Sequence, residues 1–577
     1  MLTLLDLGDD LLVTVIPQYL RPRDTLRLSL TCKSAYARFW YPQSPIYKTL
    51  YNQLFTNNDN DHTTVDQGLT WEELFRLRTD PDQRLYTWGS GAHRRLGYDI
   101  SQIPFRQRNG VGIPYPRNVS ETNGHIIVDI RATGYAFLIL TISGQLYYTG
   151  WSFRQDVGHH TPSASNIDQW APGNPNESQE ISRGRLGTLW YRYDRPDDAF
   201  DRDPPSGRRR APNTNLEGPP ESRGVDLLSP LSGLGFEHIL RPFQSKSDVT
   251  DASDNVFKAG QSPAHFASSA QSQIKESDSI KPLRLPYDAQ LISISGGRQH
   301  VIALDDQNRV FQWDTTTKSS QGVELDFGTS AFINKIHAGW NLAAYYSVDE
   351  GIRVWYGRES VTPTSGPRVK ATSVIVPHTK GEIEDFAVLT DCVLFIRKSN
   401  GRLYRASCPA SAWVESEDEP RVEELSPVEA YNEWLDDYNR SNGTDHKFTR
   451  INSTYRNFVL FTNGDQVLLG NLNNLDAVDL QPALQNRQIK SVVMGDYHYL
   501  ALTGDGKCLA WGLESQNCGC LGLGFAEPLV TNHPQQVSRE NGRALLVKAP
   551  IEVPPPDGSR AWVQLAASGW QSGGIVV

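Results

Sequence analysis

Little in this chain is spaced for covalent or acid–base chemistry. Cys518-Gly519-Cys520 brings two thiols within reach of one ion. A structural zinc site needs four ligands, and no second chelating pair stands at the spacing such sites use. His159 and His160 lie together in a polar stretch with no other catalytic motif around it, and Arg208-Arg209-Arg210 is a short basic run of the solvated kind. No glycine-rich phosphate loop opens a helix, no His/Glu pair has metal-binding spacing, and no nucleophile elbow is present. The expectation is a protein that binds rather than catalyses, with no cofactor and no metal.

Binding requires a surface, and the first forty residues offer one. Leu11, Leu12, Val15, Ile16, Tyr19 and Leu20 recur at steps of three and four, an apolar stripe on a short helix. Arg21-Pro22-Arg23 breaks it, because proline restrains the residue before it. Asp24 is then expected to cap a second helix carrying Leu26, Leu28, Leu30, Tyr36 and Phe39. Two short helices with this much leucine cannot bury it against each other, and forty residues rarely stand alone. Either they pack on the domain that follows or they take a partner.

The run Leu7…Asp9-Asp10-Leu11-Leu12…Val15-Ile16…Tyr19-Leu20…Pro22…Asp24…Leu26-Arg27-Leu28-Ser29-Leu30…Cys32-Lys33 resembles an F-box from end to end. It departs at Gly8, Thr25 and Ala35, where that family usually has proline, leucine and tryptophan. The resemblance implies docking on the Skp adaptor of SCF ubiquitin ligases, and through it contact with cullin and RING subunits. It assigns the Skp-binding surface to Leu7, Leu11, Leu12, Ile16, Leu20, Leu26, Leu28 and Leu30.

Composition narrows the partners. Across 577 residues the net charge is −10 and the pI about 5.8, so no broad basic surface for nucleic acid is expected. Cys32, Cys392, Cys408, Cys508, Cys518 and Cys520 are scattered, as reduced thiols of cytoplasm or nucleus would be. No apolar run reaches the length of a membrane span, and Met1 to Ile16 holds three aspartates and no basic residue, unlike a signal peptide.

Residues 41–83 read as a helical linker. Pro45 suits the first turn of a helix over 46–55, 57–68 reads as a mobile loop, and Thr70-Trp71-Glu72-Glu73 has capping-box spacing. From Arg84 the chain repeats an apolar strand, a tight turn and a second strand ending in an aromatic residue, plainest over 495–512. Gly144, Asn308, Gly351, Gly401, Gly464 and Gly506 mark the turns, where positive φ is expected. A further copy starts at Trp562 and lacks its second strand, which Arg84 to Gly89 can supply. The pieces Trp88-Gly89…Leu96-Gly97, Gly297-Arg298-Gln299-His300 and Trp511-Gly512…Leu521-Gly522 resemble the regulator-of-chromosome-condensation repeat. That family's histidine remains at His300 and His498, with Ala136, Ala343, Val393, Arg456 and Ser572 taken as the equivalent places.

The fold expected is a small all-α F-box (1–40) with linker helices (41–83), then an all-β seven-bladed propeller (84–577) closed by strands from both ends of the repeat region. Insertions interrupt it at 152–183, at 191–286 (Ser- and Pro-rich, expected to be largely disordered) and at 407–447. In the third, Val428, Tyr431, Trp434, Leu435 and Tyr438 line one helical face. The combination implies a substrate-recognition subunit of an SCF-type ligase, with the propeller holding a target protein. The alternative is a guanine-nucleotide exchange factor or chromatin-binding propeller, as the namesake of the repeat suggests. Strand direction puts the insertions starting at Ser152 and Ser407 on the face away from the F-box linker, and the target with them.

Overall fold

The computed structural model describes residues 7–20, 22–55, 70–80, 82–153, 273–315, 319–357, 366–409, 413, 422, 424–514, 516–540, 544–556, 559 and 561–577. The loop at 57–68 and most of the first two insertions lie outside the described residues; the second ends earlier than 286, because Ile280–Leu283 pairs with Leu146–Thr149 as the outer strand of the first sheet. None of the described helices is long and apolar enough to cross a membrane.

The chain begins with a π-helical stretch, Asp10–Val15, that runs on into α1 (Ile16–Tyr19). The second helix expected from Asp24 is instead two: α2 (Pro22–Ser29) and α3 (Lys33–Phe39). Asp24 lies inside the first turn of α2, 3.7 Å from Arg27, and proline starts the helix because it needs no amide partner there. The break at residues 30–32 has its own chemistry. Thr31 donates its hydroxyl to the Leu28 carbonyl at 2.8 Å, and extended Cys32 caps α3 by accepting from the Ala35 amide.

Next come α4 (Pro45–Phe55) and α5 (Trp71–Arg78), the latter opened by a full capping box between Thr70 and Glu73. Phe39, Leu50, Phe55 and Phe75 form a buried core that is continuous with Ile126, Val128, Leu138 and Val301 of the β domain. The helices are thus packed on that domain, not tethered beside it.

The strands form seven sheets arranged as a ring. Their innermost strands are Ile127–Ala132, Leu291–Gly296, Lys335–Ala338, Ile383–Val388, Phe448–Thr454, Ser491–Met494 and Trp562–Ser568. Each touches the next, and the last touches the first. In the seventh sheet Arg84 pairs with Val576 and Trp88 with Ser572, while Trp88 also meets Trp562 edge-on with centroids 5.6 Å apart. The turns between second and third strands lie on the face where α5 enters. Gly144, Asn308, Gly351, Gly401 and Gly506 have positive φ there. Gly464 does not; Asp465 takes the left-handed conformation, at φ 62°. Glycine is required at 464 for space, since a Cβ would overlap the His446 imidazole.

On the opposite face each innermost strand turns into its neighbour. Thr133, Gly297, Gly339, Leu389 and Gly495 donate their amides to the carbonyls of Ala136, His300, Leu342, Cys392 and His498, and Thr454 faces Asn457 as Ser568 faces Gln571. The true equivalents of His300 and His498 are therefore Ala136, Leu342, Cys392, Asn457 and Gln571. The sequence alignment is one residue out at four of them, a slip that would turn each side chain to the other side of its sheet.

The helical face expected in the third insertion is real but begins later. It is α6 (Glu429–Asn442), with Tyr431, Asn432 and Leu435 buried. Tyr431 donates to the carbonyls of Leu469 (3.1 Å) and Ala477 (3.0 Å), and Asn432 pairs both ways with the Leu403 backbone. Leu403 lies near the turn at Gly401, so α6 packs toward the α5 side. Only the first part of that insertion, after Ser407, departs from the far face, because the strand Glu424–Pro427 carries the chain back.

Candidate functional site

The N-terminal stripe divides into a packed half and an open half. Leu12 is fully buried, and Leu7, Ile16 and Leu28 are partly buried against the helical core. Leu20 is partly buried too; the Leu26 side chain lies outside the described residues. Leu11 is 50% exposed and Leu30 36%. Val15, absent from the assignment by resemblance, is 39% exposed and lies one turn from Leu11 on the same side. The open apolar surface of this segment is contributed by Leu11, Val15 and Leu30.

Its supports are polar. Gln53 donates to the carbonyls of Pro17 (2.9 Å) and Leu20 (3.0 Å), satisfying the end of α1. Arg38 reaches Asp9 at 2.5 Å and the Leu7 carbonyl at 2.6 Å. Thr25 and Ala35, two of the departures from the F-box pattern, are both buried, and Trp40 donates its indole N–H to the Ser29 hydroxyl at 2.9 Å.

Arg78, at the end of α5, is buried at the junction of the seventh and first blades. Its guanidinium donates to the carbonyls of Val563 and Val128, each at 3.0 Å, and lies over the Phe55 ring. Next to it, Asp129 is wholly buried, bonded to Arg131 (3.1 Å) and Gln564. Burial raises the Asp129 carboxyl above its usual value, and Arg131 chiefly opposes the shift.

The far face is built from the seven inner turns, and it is rich in arginine and aromatic side chains. Arg298 stacks 3.7 Å above the Trp340 ring, which meets Tyr455 at a centroid distance of 3.9 Å; Arg456 continues the row 5.4 Å from Tyr455. Arg298 also donates to the Tyr135 hydroxyl at 3.2 Å. Arg95 lies 5.3 Å from the centre of that ring. Asp496 belongs to this group, its carboxyl raised by burial against the opposing pull of Arg298 and Arg95. Asp391, on the same face, is likewise raised by burial and drawn down by Arg456 and Arg405. Ser152 and Phe153 leave the first blade from this side.

Among the described residues no cluster of His, Cys, Asp and Glu is suited to a metal ion. Cys518 and Cys520 are buried free thiols, and burial pushes Cys520 well above the ordinary thiol value.

Residues 489–520 match the family model of the regulator of chromosome condensation repeat. SCF-associated factor 1 of Saccharomyces cerevisiae is 27% identical, over 88% of this chain and 85% of its own length. The chain resembles the fungal SCF-associated factor. F-box protein pof9 of Schizosaccharomyces pombe is 26% identical over 50% of this chain, which spans 58% of that protein. The solved structure of human WBSCR16 aligns with 86% of this chain and 98% of its own, at 13% identity and a TM-score of 0.47.

What the sequence reasoning missed is the grouping of Arg95, Arg298, Trp340, Tyr455 and Asp496. One signal was available. Each of the last four lies within two residues after an innermost strand, where turns of a propeller collect at one face.

Proposed function

We propose that this chain is a substrate-recognition subunit of an SCF-type ubiquitin ligase. The observation that carries the reading is the open leucine surface of the N-terminal helices, on a chain similar to SCF-associated factor 1 over most of its length. Leu11, Val15 and Leu30 would contact the Skp adaptor directly; Leu12 would serve from beneath, by holding the first helix in place. Leu7, Ile16, Leu20 and Leu28 would complete the rim, with Leu26 as assigned by the F-box resemblance. The receptor itself forms no covalent intermediate: it would hold a target protein near the ubiquitin-charged enzyme, and the gain in rate comes from proximity. The target would sit on the far face, away from the helices, where arginine and aromatic side chains of the kind that dominate interfaces are gathered. Its place of work would be the cytoplasm or the nucleus, where its free cysteines stay reduced.

The test is co-purification of the full chain with recombinant Skp adaptor. Leu11→Asp combined with Leu30→Asp is expected to weaken capture by ~100-fold or more, because a charge replaces each exposed anchor of an apolar contact. The thermal midpoint of the propeller should stay unchanged. Undiminished capture by a folded double variant would overturn the docking assignment.

A further inference from the structure

The far face holds one more specific feature among its inner turns. Arg95 is only 3% exposed, and its Nε donates to the Ala92 carbonyl at 3.1 Å. Its Nη1 is buried and has no acceptor among the described residues. Nearby, the Trp570 indole N–H is also buried without an acceptor among them. Each open donor is unusual, since a buried polar group without a partner costs about 1–3 kcal/mol.

The charges around them do not cancel. Arg95 and Arg298 lie 5.3 Å and 5.6 Å from the Tyr135 ring centre, and Asp496 is a carboxylate within electrostatic reach of both. Two guanidinium groups against one carboxylate leave a single positive charge. Asp391, Arg456 and Arg405 form a second group on the face, again two guanidinium groups against one carboxylate. Loops from four blades meet here: a Cβ on Gly134 would come within 3.2 Å of Arg298, Asp496 donates its amide to the Gly569 carbonyl, and the Cys518 thiol faces the Trp570 carbonyl at 3.6 Å. Stacking on Trp340 fixes Arg298, so little side-chain freedom is lost when an acceptor arrives.

We propose that this group of inner turns receives one carboxylate of a target protein, bound by Arg95 Nη1 and Arg298 with the Trp570 N–H as a further donor. A monoanion matches the residual charge, whereas a doubly charged phosphate would exceed it and face Asp496. The carboxylate can come from an acidic side chain or from a chain terminus. The proposal rests on the reading of the propeller as a target receptor and names the chemistry it selects.

The test uses the full chain labelled with 5-fluorotryptophan and followed by fluorine NMR, with the Trp340 and Trp570 signals assigned from Trp340→Phe and Trp570→Phe. The probes are N-acetylglutamic acid α-amide for a side-chain carboxylate, N-acetylglycine for a terminal one, the corresponding glutamine diamide, and inorganic phosphate. Saturable shifts of either signal are expected with a carboxylate probe and not with the diamide, and which carboxylate binds better tells the source. Arg298→Gln should weaken that binding by ~10-fold or more. Asp496→Asn should tighten it, a gain that no misfolded variant can produce. Absence of a saturable shift with both carboxylates, equal binding by Arg298→Gln, or phosphate binding tighter than either carboxylate would overturn the proposal. Skp capture is a separate measurement on a separate surface, so loss of one reading leaves the other standing.

Discussion

Arg78 and Val563 are 485 positions apart, yet the arginine guanidinium and the valine carbonyl are 3.0 Å apart in a hydrogen bond. The last turn of the linker is thereby wedged between the blade that ends the chain and the blade that starts after residue 126. Replacing Arg78 by alanine would leave the carbonyls of Val128 and Val563 short of a donor and remove a positive charge from beside buried Asp129. The expected loss is about 2–4 kcal/mol of stability, felt by the propeller as a whole. Arg78→Lys keeps the charge but not the forked geometry and should recover only part. Chemical denaturation of the full chain measures both; an Arg78→Ala protein as stable as the parent would refute the wedge.

Much of this arrangement could be read from local chemistry. Thr70 and Glu73 close a capping box as their spacing demands, and Pro45 opens α4, because both effects act within one turn of helix. Leu11 and Leu12 could not be told apart: neighbours on a helix differ by about 100° in direction, and only the position of α4 decides which one is buried. Arg95 and Asp496 could not be paired at all, since their meeting depends on closure of the ring.

His498 gives a pH dependence of definite sign. It is fully enclosed, with its ring against Gly495 and its Nε2 2.7 Å from the Ser572 hydroxyl. Burial pushes its pKa down to about 4 from the ordinary 6.5. The unfolded chain therefore takes up a proton that the folded one refuses, and stability falls as pH drops from 6.5 toward 4. The full effect is about 3 kcal/mol. Buried Glu514 acts in the other direction. Its pKa is raised to about 7, so its contribution is present below 4.5 and is lost as pH rises toward 7. Denaturation midpoints measured across this range should decline less steeply toward acid in His498→Gln than in the parent. In Glu514→Gln the loss of stability between pH 4.5 and 7 should shrink. Parallel profiles for parent and both variants would contradict the assignment.

Gly464 and Gly506 occupy equivalent turns for different physical reasons, and a substitution can separate them. At Gly506 φ is +79°, which an alanine adopts only with strain, and its Cβ would also press on Ala561. At Gly464 the backbone is ordinary and the obstacle is the His446 ring, held by stacking on Tyr438 at 5.7 Å. Gly464→Ala should destabilise by about 1–3 kcal/mol through overpacking. Adding His446→Ala should return most of that loss, giving a double-mutant coupling well above the error of such cycles. Gly506→Ala should gain much less from Ala561→Gly, because removing the neighbour leaves φ unchanged. Equal rescue at the two sites would mean that the turn at 464 needs its glycine for conformation after all. Its partner Asp465, already left-handed at φ 62°, argues that one such residue is sufficient there.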